Sequence, residues 1–269
     1  MGMISVVTAF FDIGRGEWLE KVPNLQPYLH RTNQTYLDRF ARLAVLENDM
    51  TVFTSEEFAP EVRRIRQQAS PGSRTRVFTM DFQACLGTTR GRIAAVQRDE
   101  RWRSQIFPGF LHNPEYWNAD YVLVNALKSR FARMAVEMEA VDNELVAWLD
   151  FGYCREEGTL GKQKRWSHPF DPSKLHLFSI EDYDGASHHD VISNNRTYVT
   201  GPCIVGGHRP WRRLDALFTE IMSGLLDQGW IDDDQSILLF SSLREPETFQ
   251  LHRLNQWFSE VREFNADTH

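Results

Sequence analysis

An α/β fold with a mainly parallel central sheet flanked by helices, Rossmann-like in organisation, is predicted by three features of this 269-residue sequence. Short β-branched and aromatic runs alternate with amphipathic helical stretches. The runs are continuously apolar rather than alternating, as strands covered on both faces are. Several of them end in Asp or Gly, which hands a buried strand over to a loop.

The elements follow in chain order. Ile4 to Phe11 is the first strand and gives way to Asp12, Gly14 and Gly16. Asn33 to Leu46 carries Tyr36, Leu37, Phe40 and Leu43 at helical spacing, and Met50 to Thr54 is a second strand. Glu56 to Gln68 reads as a helix, Thr75 to Met80 as a third strand, and Gly87 to Phe110 as an Arg-rich, partly helical stretch. From Asp120, Leu123, Leu127, Phe131, Met134, Met138 and Val141 recur every three or four positions, the pattern of one amphipathic helix with Lys128 at the edge of its stripe. Glu144 to Leu149 is a strand that delivers Asp150 at its carboxyl end. Cys154 to Lys174 reads as a polar lid presenting Trp166, His168 and Phe170. Leu175 to Ile180 and Arg196 to Val205 read as strands, Pro210 to Leu226 as a helix with proline in its first turn, and Trp257 to Phe264 as a short closing helix. The whole of 1–269 reads as a single domain with no internal repeat.

Composition narrows the function. A net charge of -7 leaves no positive excess with which to neutralise a phosphate backbone, so nucleic acid is not an expected partner. Of the 30 basic residues 25 are arginine, the side chain suited to fixed bidentate contacts with phosphates and carboxylates. Cys85, Cys154 and Cys203 are odd in number and widely spaced, which suits a reducing compartment. The opening MGMISVVTAFF lacks the basic flank and cleavage site of a signal peptide, and no apolar run reaches transmembrane length. The expected location is cytoplasmic, with at most peripheral association with the inner membrane.

In open α/β sheets ligands bind outside the carboxyl ends of the strands. Asp12 and Asp150 both stand at such ends, and a carboxylate fixed by a buried strand suits Mg2+ or Mn2+ on a diphosphate, or else merely caps the next turn. In GPCIVGGHRPW the paired Gly206 and Gly207 allow close backbone approach to a ligand, with His208 and Arg209 offering hydrogen bonds or charge. In IDDDQ, Asp234 is a candidate general base for an acceptor hydroxyl, or part of a solvated helix cap. Lys128 reaches a phosphate or snorkels to water, and His252 completes a metal site or is structural.

Three segments, VVTAFFDIGRGEW, LVAWLDFGYCR, and IDDDQSILL with PETFQLH, together resemble the HtrL/YibB-like family of bacterial proteins across nearly the whole chain. The resemblance implies a GT-A-like glycosyltransferase of surface-polysaccharide assembly (lipopolysaccharide, O-antigen or capsule), moving a sugar from a nucleotide-sugar donor to a glycan or lipid-linked saccharide acceptor. It implies that residues 1–150 hold the nucleotide-sugar and 151–269 the acceptor. Phe10, Asp12, Arg15, Lys128, Asp150, Gly206, Gly207 and His208 would meet the donor, and Asp234 with Gln235 would be catalytic. Asp150 would take the place of the DxD motif, yet Phe151 and Gly152 follow it and the second carboxylate is missing. Either Asp150 with His252 holds a Mn2+ or Mg2+ ion, or Arg15, Lys128 or Arg209 neutralises the leaving diphosphate. A sugar-nucleotide hydrolase, a nucleotidyltransferase and a non-catalytic nucleotide- or glycan-binding protein remain the alternatives.

Overall fold

Seven strands make one sheet in the computed structural model, which describes residues 3–22, 25–85 and 87–266. They are β1 (Ile4–Phe10), β2 (Met50–Thr54), β3 (Thr75–Thr79), β4 (Leu145–Leu149), β5 (Leu175–Ser179), β6 (Cys203–Gly207) and β7 (Phe249–Arg253). Every residue of β1, β2 and β4 is buried, because helices cover both faces. Alternation divides them between two cores: Ile4, Val6 and Phe10 join one, and Val7 and Ala9 the other.

The strand order β3-β2-β1-β4-β6-β5-β7 sets the site. β3, β2, β1 and β4 are mutually parallel, β6 runs against β4 and β5, and β5 pairs parallel to β7. Only β6 is therefore reversed. Its first residue, Cys203, faces Leu149, and its last, Gly207, faces Leu145. The rim that carries Asp150 thus receives the approach to β6, residues 200–202, whereas Gly206, Gly207 and His208 lie at the opposite rim.

Three expectations are corrected. The strand expected over Arg196 to Val205 begins only at Cys203, since Pro202 has no N–H to donate to a ladder; upstream, Val199 makes a single bridge to Ser179. The helix expected from Asp120 is two helices, Ala119–Ala126 and Lys128–Glu137, with Leu127 (ψ -5°) at the joint. The break turns Lys128 inward. The stretch from Cys154 to Lys174 is no lid: Trp166 is fully buried, and its backbone N–H and carbonyl bond to the Asn48 side chain, which also donates to the Ile4 carbonyl. Its indole N–H donates to the Phe264 carbonyl, and Phe170 is buried beside it. These rings are core, and the segment is a strap sewn to the sheet.

Cys154 and Cys203 are free and buried, while the Cys85 side chain lies outside the described residues. Among the described residues no helix is long and apolar enough to cross a membrane.

Candidate functional site

A cleft of about 930 Å³, counting its open mouth, lies beyond the carboxyl ends of β1 and β4. Its floor is Phe10, Phe11 and Phe151; Phe10 stacks on Phe151 at 4.7 Å and on Tyr36 at 5.6 Å. These rings form where two neighbouring parallel strands end side by side, so the polar groups above them stand on a rigid base.

At the centre is Lys128. Its Nζ donates to Asp234 Oδ2 (2.7 Å) and the Gly201 carbonyl (3.1 Å) and lies 3.0 Å from Asp150 Oδ1. The side chain is only 4% exposed. Burial alone would lower its pKa, but Asp150 and Asp234 outweigh burial and raise it, which favours the charged ammonium. Asp150 Oδ1 also accepts the Trp148 indole N–H at 2.9 Å, while the carboxylate stays about one-third exposed to the cleft. The helix Asp234–Arg244 begins here, capped by Asp233, whose Oδ1 accepts the Gln235 N–H. Desolvation, together with Asp150, outweighs Lys128 and raises the Asp234 carboxyl; desolvation and the neighbouring acids raise Asp233. Gly201 is needed because a β-carbon there would meet Asp234 Oδ2 at 2.2 Å.

The second part of the cleft is a group of guanidinium ions, Arg15, Arg31, Arg39 and Arg155. Arg15 packs over the Tyr36 ring (4.9 Å), Trp18 and Tyr121. Arg155 packs over Phe258 at 4.1 Å. Arg31 Nε and Arg39 Nη1 are buried nitrogens without a hydrogen-bond partner. Desolvation and the positive charge of the other arginines lower Arg39 and bring Arg155 to about 10. Burial of the Tyr36 phenol pushes its pKa up, but Arg15, Arg31 and Arg39 reverse this and lower it overall. A cluster whose members depress one another, with donors unused, is arranged for an anion that brings its own oxygens.

Of the residues named from sequence, Phe10, Arg15, Lys128, Asp150, Asp234 and Gln235 line this one cleft. Asp12 does not: it is exposed, and its carboxylate accepts the Gly14 N–H and the Asn33 amide, each at 2.8 Å, capping the turn after β1. Gly206, Gly207 and His208 do not, because β6 is antiparallel. The chain itself fills the space the paired glycines open, the Pro172 carbonyl lying 2.0 Å from where a Gly207 β-carbon would be, and His208 bonds to the Asn143 carbonyl. Arg209 is exposed at that same rim. His252 is on β7, three strands from β4, where its Nε2 is 2.8 Å from His176 Nδ1 within a packing of Phe170, Phe178 and Phe264. Burial first, and then its neighbouring histidines, lower its pKa to about 4. Sequence reasoning missed Arg31, Arg39, Arg155, Tyr36 and Trp257. The available signal was Arg39, three residues after Tyr36 on the buried face of the helix Asn33–Leu43.

Over residues 3–266 the sequence matches the family described as "Bacterial protein of unknown function (HtrL_YibB)", and it is 37% identical over 270 residues to Protein HtrL of Escherichia coli (strain K12), covering 98% of this chain and 93% of that protein. The chain belongs to the HtrL/YibB family. Among solved structures, the HtrL/YibB fold is similar to the core-mannan synthase A of Aspergillus fumigatus in its Mn/GDP form, with TM-score 0.50, 7% identity, and coverage of 99% of this chain and 81% of that one. Mouse xyloside xylosyltransferase 1 is also similar, with TM-score 0.42, 10% identity, and coverage of 93% and 84%. The fold is GT-A-like.

The side chains of this HtrL/YibB cleft do not fit a divalent cation at Asp150. Among the described residues no three His, Cys, Asp or Glu side chains are grouped to hold a metal ion, and His252 is on another strand. The space between Asp150 and Asp234 holds the Lys128 ammonium. At about 4 Å and an effective dielectric of about 20 the ammonium would repel a divalent ion by about 8 kcal/mol, which offsets the attraction of one of the two carboxylates.

Proposed function

We propose that this HtrL/YibB protein is a glycosyltransferase that moves a sugar from a nucleoside-diphosphate sugar to a hydroxyl of a glycan or lipid-linked saccharide, in the assembly of a bacterial surface polysaccharide. One observation carries the reading: unpaired guanidinium donors and the Asp150–Lys128–Asp234 group share one cleft at the carboxyl rim of the sheet. Residues 1–150 provide most of the donor half, and the acceptor enters over 151–269. Arg31, Arg39 and Arg155, with Arg15 beside them, face the diphosphate, while Trp257, at the cleft and 38% exposed, offers a ring face to base or sugar.

In the transfer, an acceptor oxygen bonds to the anomeric carbon as the bond from that carbon to the diphosphate oxygen breaks. The nucleoside diphosphate leaves with the electron pair. The acceptor proton passes to Asp234, whose raised pKa suits a general base. The Gln235 carbonyl is held by Thr197, which leaves its amide N–H groups for sugar hydroxyls. Work in the cytoplasm, at most peripherally at the inner membrane, accords with a donor made there.

The test is release of nucleoside diphosphate from a panel of nucleotide sugars, with and without glycan acceptor. We expect acceptor-dependent release that falls about 100-fold or more in Asp150→Asn. Full activity in a folded Asp150→Asn protein overturns the site, and release without acceptor identifies a hydrolase instead.

A further inference from the structure

We propose that this site binds its diphosphate donor without a divalent cation, the Lys128 ammonium holding the place between Asp150 and Asp234 and Arg31, Arg39 and Arg155 taking the diphosphate oxygens. The inference rests on the nucleotide-sugar reading above and specifies how its donor is held.

A metal-dependent diphosphate site needs carboxylate oxygens free to coordinate. Here Asp150 Oδ1 is taken by the Trp148 indole N–H and by Lys128, and Asp234 Oδ2 by Lys128. Gly152 stands where a second carboxylate could have followed Asp150, and it cannot be readily replaced: a β-carbon there would lie 3.0 Å from the Tyr36 ring. One oxygen of each carboxylate is engaged in this way, the Lys128 ammonium stands between the two, and an aromatic ring is packed against the position that a second carboxylate after Asp150 would take.

The positive charge has moved elsewhere. Tyr36, packed against Gly152, carries Arg15 over its ring at 4.9 Å and Arg39 at 5.9 Å. Arg31 donates to the Tyr36 hydroxyl at 3.4 Å, and its Nε is left without a partner, as is Arg39 Nη1. Among the described residues no carboxylate forms a salt bridge with Arg31, Arg39 or Arg155, although surface arginines of this chain are widely paired. Three unpaired guanidinium ions supply more than the two charges a divalent ion would bring, in the fork geometry that suits phosphate oxygens.

The experiment is calorimetric titration of the full-length protein with UDP, GDP, CDP, ADP and dTDP, in millimolar EDTA and again in millimolar MnCl2 or MgCl2. For whichever nucleotide binds, the dissociation constant in EDTA is expected within about threefold of that in Mn2+. Tightening by about tenfold or more with Mn2+, or binding only with Mn2+, overturns the proposal and leaves the transferase reading standing. Failure of every nucleotide to bind under either condition overturns that reading and this one with it. Arg39→Gln, which breaks no hydrogen bond of the Arg39 Nη1 atom, is expected to weaken binding in EDTA by about tenfold or more; unchanged affinity overturns the arginine assignment. Lys128→Ser opens the position between two carboxylates and is expected to take up Mn2+, read as loss of the free-ion spin-resonance signal, where the parent protein does not. Mn2+ uptake by the parent, or none by a folded Lys128→Ser protein, overturns the role given to the ammonium.

Discussion

Replacing Lys128 by Met isolates the charge at the centre of the cleft. Met keeps most of the side-chain volume but removes the donor to Asp234, Asp150 and Gly201. Asp150, about one-third exposed, can rehydrate, whereas Asp234 at 3% exposure cannot. Removing one partner of a buried ion pair costs about 3–5 kcal/mol, and at about pH 8 the variant is expected to be destabilised by that amount. Lysine itself adds no pH dependence in the working range. Its folded pKa is raised, so its contribution is complete below the unfolded value of about 10.4 and is lost only as the pH rises through the folded value. The dependence comes from Asp234, which is already raised by desolvation and is raised further once Lys128 is gone. As the pH falls Asp234 takes up a proton in the folded variant, and the deficit shrinks by up to about 1.4 kcal/mol per pH unit. Urea denaturation of both proteins at about pH 5 and about pH 8 measures this. A deficit below about 1 kcal/mol at pH 8, or one equal at both values, refutes the argument that a buried carboxylate depends on this ammonium.

Glu260 is wholly buried and accepts hydrogen bonds from the hydroxyls of Tyr153 and Thr200; burial pushes its pKa to about 7. The folded state keeps a proton that the unfolded chain releases above about pH 4, so stability falls as the pH rises from about 4 to about 7, and Glu260→Gln is expected to gain up to about 3 kcal/mol at pH 8 relative to pH 4 in denaturant titrations. An equal effect at both pH values would contradict this. Gly201→Ala places a methyl group against Asp234 Oδ2 and is expected to cost about 1–3 kcal/mol and most of the proposed transferase activity, whereas wild-type turnover in the variant would show that Asp234 need not hold its position. Trp166→Ala empties a buried site and is expected to cost about 3–5 kcal/mol while leaving kcat of the folded fraction unchanged. A stable variant with altered kcat would restore the lid.

The fold was legible because β1, β2 and β4 are buried on both faces and are therefore apolar, β-branched and aromatic runs: β2 is observed where the sequence places it, β1 and β4 differ by a residue at an end, and so does the half-buried edge strand β3. β7 was not legible. It is an edge strand whose Gln250, Leu251 and Arg253 are exposed, so its pattern is that of a loop. In the cleft, Asp150 and Asp234 were found because each follows a strong local signal, a strand end and a helix cap. Gly206, Gly207 and His208 were misplaced for a topological reason. Local sequence shows that β6 is a strand but not which way it runs, and reversal of one strand carries its last residues to the far rim. Lys128 was read as an edge residue of one long helix, and only the break at Leu127 rotates it inward.

That break ties the fold to the chemistry. A lysine on an amphipathic stripe ordinarily keeps its charge in water, and desolvating it is unfavourable unless acids are already fixed nearby. Here they are fixed by unrelated devices: Asp150 by the end of β4 and the Trp148 indole, Asp234 by the start of a helix, and the Gly201 carbonyl by the turn leading into β6. Three distant segments therefore meet at one ammonium. The charges of Asp150, Lys128 and Asp234 are satisfied by one another, while the arginine end retains unpaired donors. In the proposed reaction a diphosphate entering the cleft would be drawn to the unsatisfied end, with the bond from the sugar to its departing phosphate toward Asp150 and Asp234.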